Sequence, residues 1–182
     1  PMGLAAGLGD TLPDDAIYVD ETITHHGLLL RYLTNRGAQS YFRPNGGLGQ
    51  GMGIAMGIKL AVKDRPVVAI LGDGSFMYNP VTQSLALSKH ADLPILIIVS
   101  NNSGYNAMRK EHQAFYPGGI SEQNDVYYGH PVTDLAYEEL VQPFGGFGRR
   151  VEKGADLPDA LGEALTAVND GRTAILNVAV DP

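Results

Sequence analysis

Apolar residues fall along this chain in two rhythms. Ala16–Asp20 (AIYVD), Pro66–Leu71 (PVVAIL), Pro94–Ser100 (PILIIVS) and Thr173–Val180 (TAILNVAV) are short, β-branched and almost continuously apolar. Such runs predict strands covered on both faces of a sheet. Between them, Met2–Leu12, Thr24–Thr34, Leu48–Val62, Pro80–Ala91, Asp134–Phe144 and Leu157–Asp170 carry a helical period. Asn79-Pro80 supplies a cap and a first-turn proline for one helix, and Gly145-Gly146 ends another. Gly148–Val151 predicts one more short strand. Alternation of this kind predicts an α/β fold, a doubly wound parallel sheet flanked by helices and joined by right-handed crossovers. The 182 residues suit a single domain over 1–182. Arg109–Pro131, rich in Gly, Tyr, Gln and Asn, reads as a long loop, the kind of segment that often carries function.

Composition sharpens this picture at three points. Many of the 23 glycines gather in Asn45–Gly57 and Gly72–Gly74, which marks backbone closely approaching a ligand or another element. The net charge of −7, with no basic stripe, argues against nucleic acid and membrane surfaces as partners. The absence of cysteine excludes disulfides and thiolate metal sites. No apolar stretch reaches the ~20 residues of a membrane span and no signal peptide opens the chain, so a cytoplasmic location is expected. A start at Pro1 rather than Met reads as a chain trimmed or cut from something longer.

Two of the expected strands end in suggestive chemistry. Pro66–Leu71 runs into Gly72-Asp73-Gly74-Ser75, and Pro94–Ser100 into Asn101-Asn102-Ser103-Gly104-Tyr105. Ligands of open parallel sheets bind beyond the carboxyl ends of the strands. Asp73 offers a carboxylate and Asn102 an amide carbonyl, hard oxygen donors of the type Mg²⁺ and Ca²⁺ prefer. Glycines on either side of Asp73 leave backbone N–H groups free to approach phosphate. Alone, each motif also fits an ordinary turn. Together they are separated by 26 residues, 75–100, enough for one helix and one strand. That crossover sets the two strand ends side by side.

GDG, 26 residues, then NN resembles the signature of thiamine diphosphate (ThDP) enzymes. Val19-Asp20-Glu21-Thr22, Ser40-Tyr41-Phe42, Gly46-Gly47-Leu48-Gly49, Tyr105-x-Ala107-Met108-Arg109 and Gly145-Gly146-Phe147-Gly148 extend the likeness over nearly the whole chain. It is similar to the C-terminal ThDP-binding domain of the acetolactate synthase and benzoylformate decarboxylase branch. The resemblance implies that Asp73, Asn102 and the Gly104 carbonyl ligate Mg²⁺. It implies that Thr24, Ser75 and Tyr105, with the Gly72 and Gly74 backbone, meet the diphosphate. Gly46 would accept a bond from the aminopyrimidine, and Leu48 would press between the two cofactor rings. As residues alone, Leu48 fits plain core, Thr24 a helix cap and Tyr105 a half-buried aromatic. His25 and His26 stand where the family's active-site mouth begins and, with Phe42 and Arg43, are candidate substrate contacts. A solvent-facing histidine or surface arginine is the competing reading. His90, His112 and His130 form no constellation.

The family's activating glutamate lies on a pyrimidine-binding domain, which this chain lacks. The resemblance therefore implies a partner domain or subunit and an obligate oligomer, a dimer of heterodimers or a homotetramer of a longer parent. The implied reaction is decarboxylation or C–C cleavage of a 2-keto acid or related carbonyl compound, with acetolactate synthase-like carboligation as the alternative. A Rossmann dinucleotide domain is the rival from another class, but Gly49-Gln50-Gly51-Met52-Gly53 meets Ile54 where G-x-G-x-x-G needs glycine. A non-catalytic relative retaining the fold is the third possibility.

Overall fold

The computed structural model describes residues 1–33, 37–127, 131–132 and 135–181. Six strands, β1 (Ile17–Glu21), β2 (Tyr41–Phe42), β3 (Val67–Gly72), β4 (Leu96–Asn101), β5 (Phe147–Val151) and β6 (Ala174–Ala179), form one sheet in the order β2-β1-β3-β4-β6-β5. Every pairing in it is parallel. The helices are α1 (Met2–Thr11), α2 (His26–Leu33), α3 (Gly51–Ala61), α4 (Asp73–Tyr78), α5 (Val81–Ala91), α6 (Asn106–Phe115), α7 (Ile120–Asn124) and α8 (Leu157–Asn169).

Strand pleating divides the core in two. Val68, Ile70, Leu96, Ile98 and Leu176 face Leu8 of α1, Leu29 and Leu33 of α2 and Leu161 of α8. Val67, Ala69, Leu71, Ile97 and Val99 face Met52 and Met56 of α3, Leu85 of α5, Tyr137 and Val141. Both layers are buried, so β3 and β4 can offer no polar face, which is why their sequences are nearly unbroken apolar runs. Each such side chain contributes roughly 1.5–3 kcal/mol on burial. No helix among the described residues is long and apolar enough to cross a membrane.

The chain leaves β1 through α2 on one face, and β2 and β3 through α3 and α5 on the other. The order of strands reverses between β1 and β3. Segments leaving these two strand ends diverge, and the crevice they open is where doubly wound sheets bind ligands.

Several boundaries differ from the sequence expectation for identifiable reasons. Helix α3 starts at Gly51, not Leu48, because Gly46 and Gly49 take φ of +94° and +92° and hold the preceding turn out of the helix. Gly49 also lies against the Tyr78 carbonyl, which a Cβ would approach to 2.5 Å. Asn79 does not cap α5. Its side chain instead donates to Glu21 Oε2 (2.7 Å) and the Ser75 carbonyl and accepts from the Met52 N–H (2.9 Å). The helix expected over Asp134–Phe144 is a 3₁₀ helix over Tyr137–Phe144 containing Pro143, and Asp134 lies outside the described residues. Thr34, the expected end of α2, and His130 also lie outside them.

The largest correction concerns Arg109–Pro131, which is helical over much of its length rather than a loop. Arg109 pairs with Asp125 at 2.8 Å and lies 4.7 Å from the centre of the Tyr127 ring. Gln113 donates to the Tyr127 hydroxyl at 3.1 Å. These polar bonds tie α6 to the turn after α7, and α6 buries Asn106 but no apolar side chain, so no core-facing apolar run marks it as a helix in the sequence.

Candidate functional site

Strand ends β1, β3 and β4 converge on one cavity of about 260 Å³. Thr22–His25 come from β1, Gly72–Ser75 from β3, and Asn102 and Gly104–Met108 from β4, with Leu48 entering from the glycine turn. Ten residues expected at the site therefore meet there: Thr24, His25, Leu48, Gly72, Asp73, Gly74, Ser75, Asn102, Gly104 and Tyr105.

Asp73 is the first residue of α4 and is buried. Its Oδ1 accepts the Gly74 N–H (2.9 Å) and its Oδ2 the Gly104 N–H (3.1 Å). Burial pushes this carboxyl above the ordinary aspartate range, while those amides pull it back. Asn102 Oδ1 is buried with no hydrogen-bond partner. An unmet acceptor of this kind costs roughly 1–3 kcal/mol, and a bound cation would relieve it. The Gly104 carbonyl accepts one bond, from the Asn106 N–H at 2.8 Å, and keeps a second lone pair. Among the described residues no three His, Cys, Asp or Glu gather as a metal cage. A cation here would have one carboxylate and neutral carbonyls, leaving room for ligand oxygens, and this donor set fits Mg²⁺.

Of the two glycines flanking Asp73, Gly74 also has a steric role. A Cβ on Gly74 would lie 2.5 Å from Cε1 of Tyr105, so its missing side chain is space for that ring. Burial, and then the neighbouring Tyr78 hydroxyl, push the Tyr105 phenol up and keep it a hydrogen-bond donor.

His25 backs the cavity. Its Nδ1 bonds Ser100 Oγ at 2.9 Å, and its Nε2 is buried and unpartnered. Burial holds the imidazole below its usual pKa, so it is neutral at pH 7. The rim is apolar: Ile23, Leu48 and Met108 are 50%, 37% and 59% exposed. Beyond Leu48 lies a second hollow of about 230 Å³, lined by Asp20–Ile23 and Arg43–Leu48, Gly46 among them. Leu48 and Ile23 border both.

His26, Phe42 and Arg43 are not among the residues that line the main cavity. Phe42 packs on the layer of α3 and α5. His26 and Arg43 are engaged by Asp20, at 2.7 and 3.2 Å. Sequence reasoning gave Asp20 and Glu21 no role, although both are buried polar residues at the end of a strand. Glu21 Oε1 accepts the Gln50 N–H at 2.7 Å, and its Oε2 holds Asn79. These two side chains occupy the Gln50 and Met52 amides at the start of α3, where a Rossmann domain would present free N–H groups to pyrophosphate.

Comparisons with known proteins agree with this geometry. The family model of the thiamine pyrophosphate enzyme C-terminal TPP binding domain matches residues 22–178. The chain is 29% identical to the acetolactate synthase large subunit of Buchnera aphidicola over 136 residues, 75% of this chain and 22% of that protein. It is 31% identical to the 2-hydroxyacyl-CoA lyase of Oryza sativa subsp. japonica over 140 residues, again 75% of this chain and 22% of that one. Its fold superposes on the thiamine diphosphate-dependent 4-hydroxybenzoylformate decarboxylase of Rhodococcus jostii with a TM-score of 0.82 at 29% identity, covering 100% of this chain and 32% of that one.

Proposed function

Since the chain belongs to the thiamine pyrophosphate enzymes as their C-terminal TPP-binding domain, we propose that it holds ThDP through Mg²⁺ for an enzyme cleaving 2-keto acids or related carbonyl compounds. The observation that carries this reading is the unpartnered Asn102 carbonyl oxygen lining the same cavity as the buried Asp73 carboxylate. Asp73, Asn102 and the Gly104 carbonyl hold the ion, and Thr24, Ser75 and Tyr105 bind the diphosphate. Leu48, which borders both hollows, would lie between the two rings of the cofactor, and the Gly46 carbonyl would accept a bond from the aminopyrimidine. ThDP, when bound, supplies a nucleophilic ring carbon and an electron sink for the carbanion left by C–C cleavage. The residues of this chain bind and orient it, and their apolar rim excludes water.

The whole enzyme's activity draws on a pyrimidine-binding domain or subunit that provides the activating glutamate and completes an oligomer. Decarboxylase or lyase chemistry is our first reading, supported by the likeness to a solved decarboxylase. Carboligation is the second, supported by the likeness to acetolactate synthase. Both need the same cofactor site. Calorimetric titration of ThDP with and without Mg²⁺ tests it. Asp73→Ala and Asn102→Ala are expected to lose the Mg²⁺-dependent component while keeping the wild-type circular dichroism spectrum. Unchanged Mg²⁺-dependent binding in both variants would overturn the assignment.

A further inference from the structure

Strand β1 ends in two buried acids, and the first has no part in the chemistry described above. Asp20 is fully buried, yet five hydrogen bonds converge on its two oxygens. Oδ1 accepts the Thr22 N–H at 2.8 Å and the Thr22 hydroxyl at 2.7 Å. Oδ2 accepts the Tyr41 hydroxyl at 2.6 Å, Arg43 Nη1 at 3.2 Å and His26 Nδ1 at 2.7 Å. A carboxylate can only accept, so His26 carries its proton on Nδ1. Burial and the Asp20 carboxylate push the Tyr41 phenol up, which keeps it a donor. Arg43 Nη1 also donates to the Thr22 carbonyl at 2.9 Å.

These donors come from four places: the turn after β1, the start of α2, strand β2 and the turn after β2. The turn Ile23–His25 is pinned at one end by Thr22 and at the other by His26. The turn Pro44–Gly49 is pinned at one end by Arg43 on Asp20 and at the other by Gln50 on Glu21. Both turns border the cavities on either side of Leu48. The sheet itself cannot hold the second turn, because β2 is two residues long and has two register pairs with β1.

We propose that Asp20 is a positioning residue, a buried staple that fixes the turns Ile23–His25 and Pro44–Gly49 against each other and so sets the width of the slot between them. Its effect on cofactor affinity rests on the ThDP-binding reading above; its effect on the turns does not.

Substitution of Asp20 itself strands five donors and risks unfolding, so the test uses its partners Tyr41→Phe and Arg43→Gln, singly and together, in the full chain. Amide hydrogen exchange is followed without cofactor, and ThDP affinity is measured at saturating Mg²⁺. The double variant is expected to speed exchange in 22–25 and 43–50 by about tenfold or more, the factor that one lost charge-assisted hydrogen bond represents. Exchange in α5 and α8 stays at the wild-type rate, and ThDP binds about tenfold more weakly. Arg43→Lys, which keeps a donor within reach of Asp20 and the Thr22 carbonyl, restores part of both. Wild-type exchange in the two turns overturns the proposal, as does an equal increase throughout the molecule, which marks a purely structural role. Looser turns with unchanged ThDP affinity overturn it as well. A wild-type chain that binds no ThDP refutes the cofactor reading, and the exchange result still decides whether Asp20 holds the turns.

Discussion

Gly49 joins the glycine turn to α3, and replacing it with alanine tests the local geometry in a quantitative way. The new Cβ would sit 2.5 Å from the Tyr78 carbonyl oxygen, a backbone atom that cannot rotate away. The residue also holds φ at +92°, which an L side chain tolerates poorly. Backbone strain of this kind costs roughly 1–3 kcal/mol, and relieving the overlap roughly another 1–3 kcal/mol. The expected loss is therefore roughly 2–6 kcal/mol, a large part of the ~5–15 kcal/mol that a domain commands. At this chain length each kcal/mol moves Tm by about 2–4 °C, so Gly49→Ala should melt roughly 5–20 °C lower by differential scanning calorimetry. Gly53, one turn into α3, is the matched control, since a Cβ there meets nothing within 4 Å. Helix propensity favours alanine at such a site by about 1 kcal/mol, so Gly53→Ala should raise Tm by about 2–4 °C. Equal shifts in the two variants would refute the close approach of the turn to α4.

Three further outcomes follow. Asn79→Ala leaves the Met52 N–H and one Glu21 oxygen without partners, and at roughly 1–3 kcal/mol for each the chain should lose about 2–6 kcal/mol in urea unfolding. Asn102→Ala removes a buried acceptor that has no donor, so the metal-free chain should be no less stable, although Mg²⁺-dependent ThDP binding is lost; a clear destabilisation in calorimetry would contradict this. His25 titrates below its ordinary value of 6.5; the unfolded chain therefore binds more protons below that pH, and stability falls as pH drops from about 7 through 6.5 towards the lowered folded value. His25→Gln should flatten that part of the pH–stability curve, and an unchanged curve would count against a buried, neutral His25.

The sheet and the meeting of its strand-end motifs at one cavity were legible because their signals are local. Pro66–Leu71 and Pro94–Ser100 announce strands by composition, and Gly72–Ser75 and Asn101–Tyr105 follow directly at their ends. What stayed hidden depends on partners distant in sequence. Tyr41 and Arg43 join Asp20 across more than twenty residues, and Asn79 reaches the start of α3 across 27. Nothing in the local pattern distinguishes Asn79 from an ordinary cap of α5. Helix α6 escaped because it buries no apolar side chain, and its contacts to the turn after α7 are an ion pair and a cation–ring contact. The sequence pointed to Gly74 as a necessary glycine, but its packing against the Tyr105 ring shows only once the β3 and β4 ends are brought together.

The central claim is that this chain carries the metal-dependent ThDP site. Native mass spectrometry of the chain with ThDP, in the presence of Mg²⁺ and again after chelation, tests it most directly. The account predicts a species heavier by one ThDP and one Mg²⁺ per chain, lost on chelation and absent from Asp73→Ala. ThDP retained equally with and without Mg²⁺, and equally by Asp73→Ala, would contradict it.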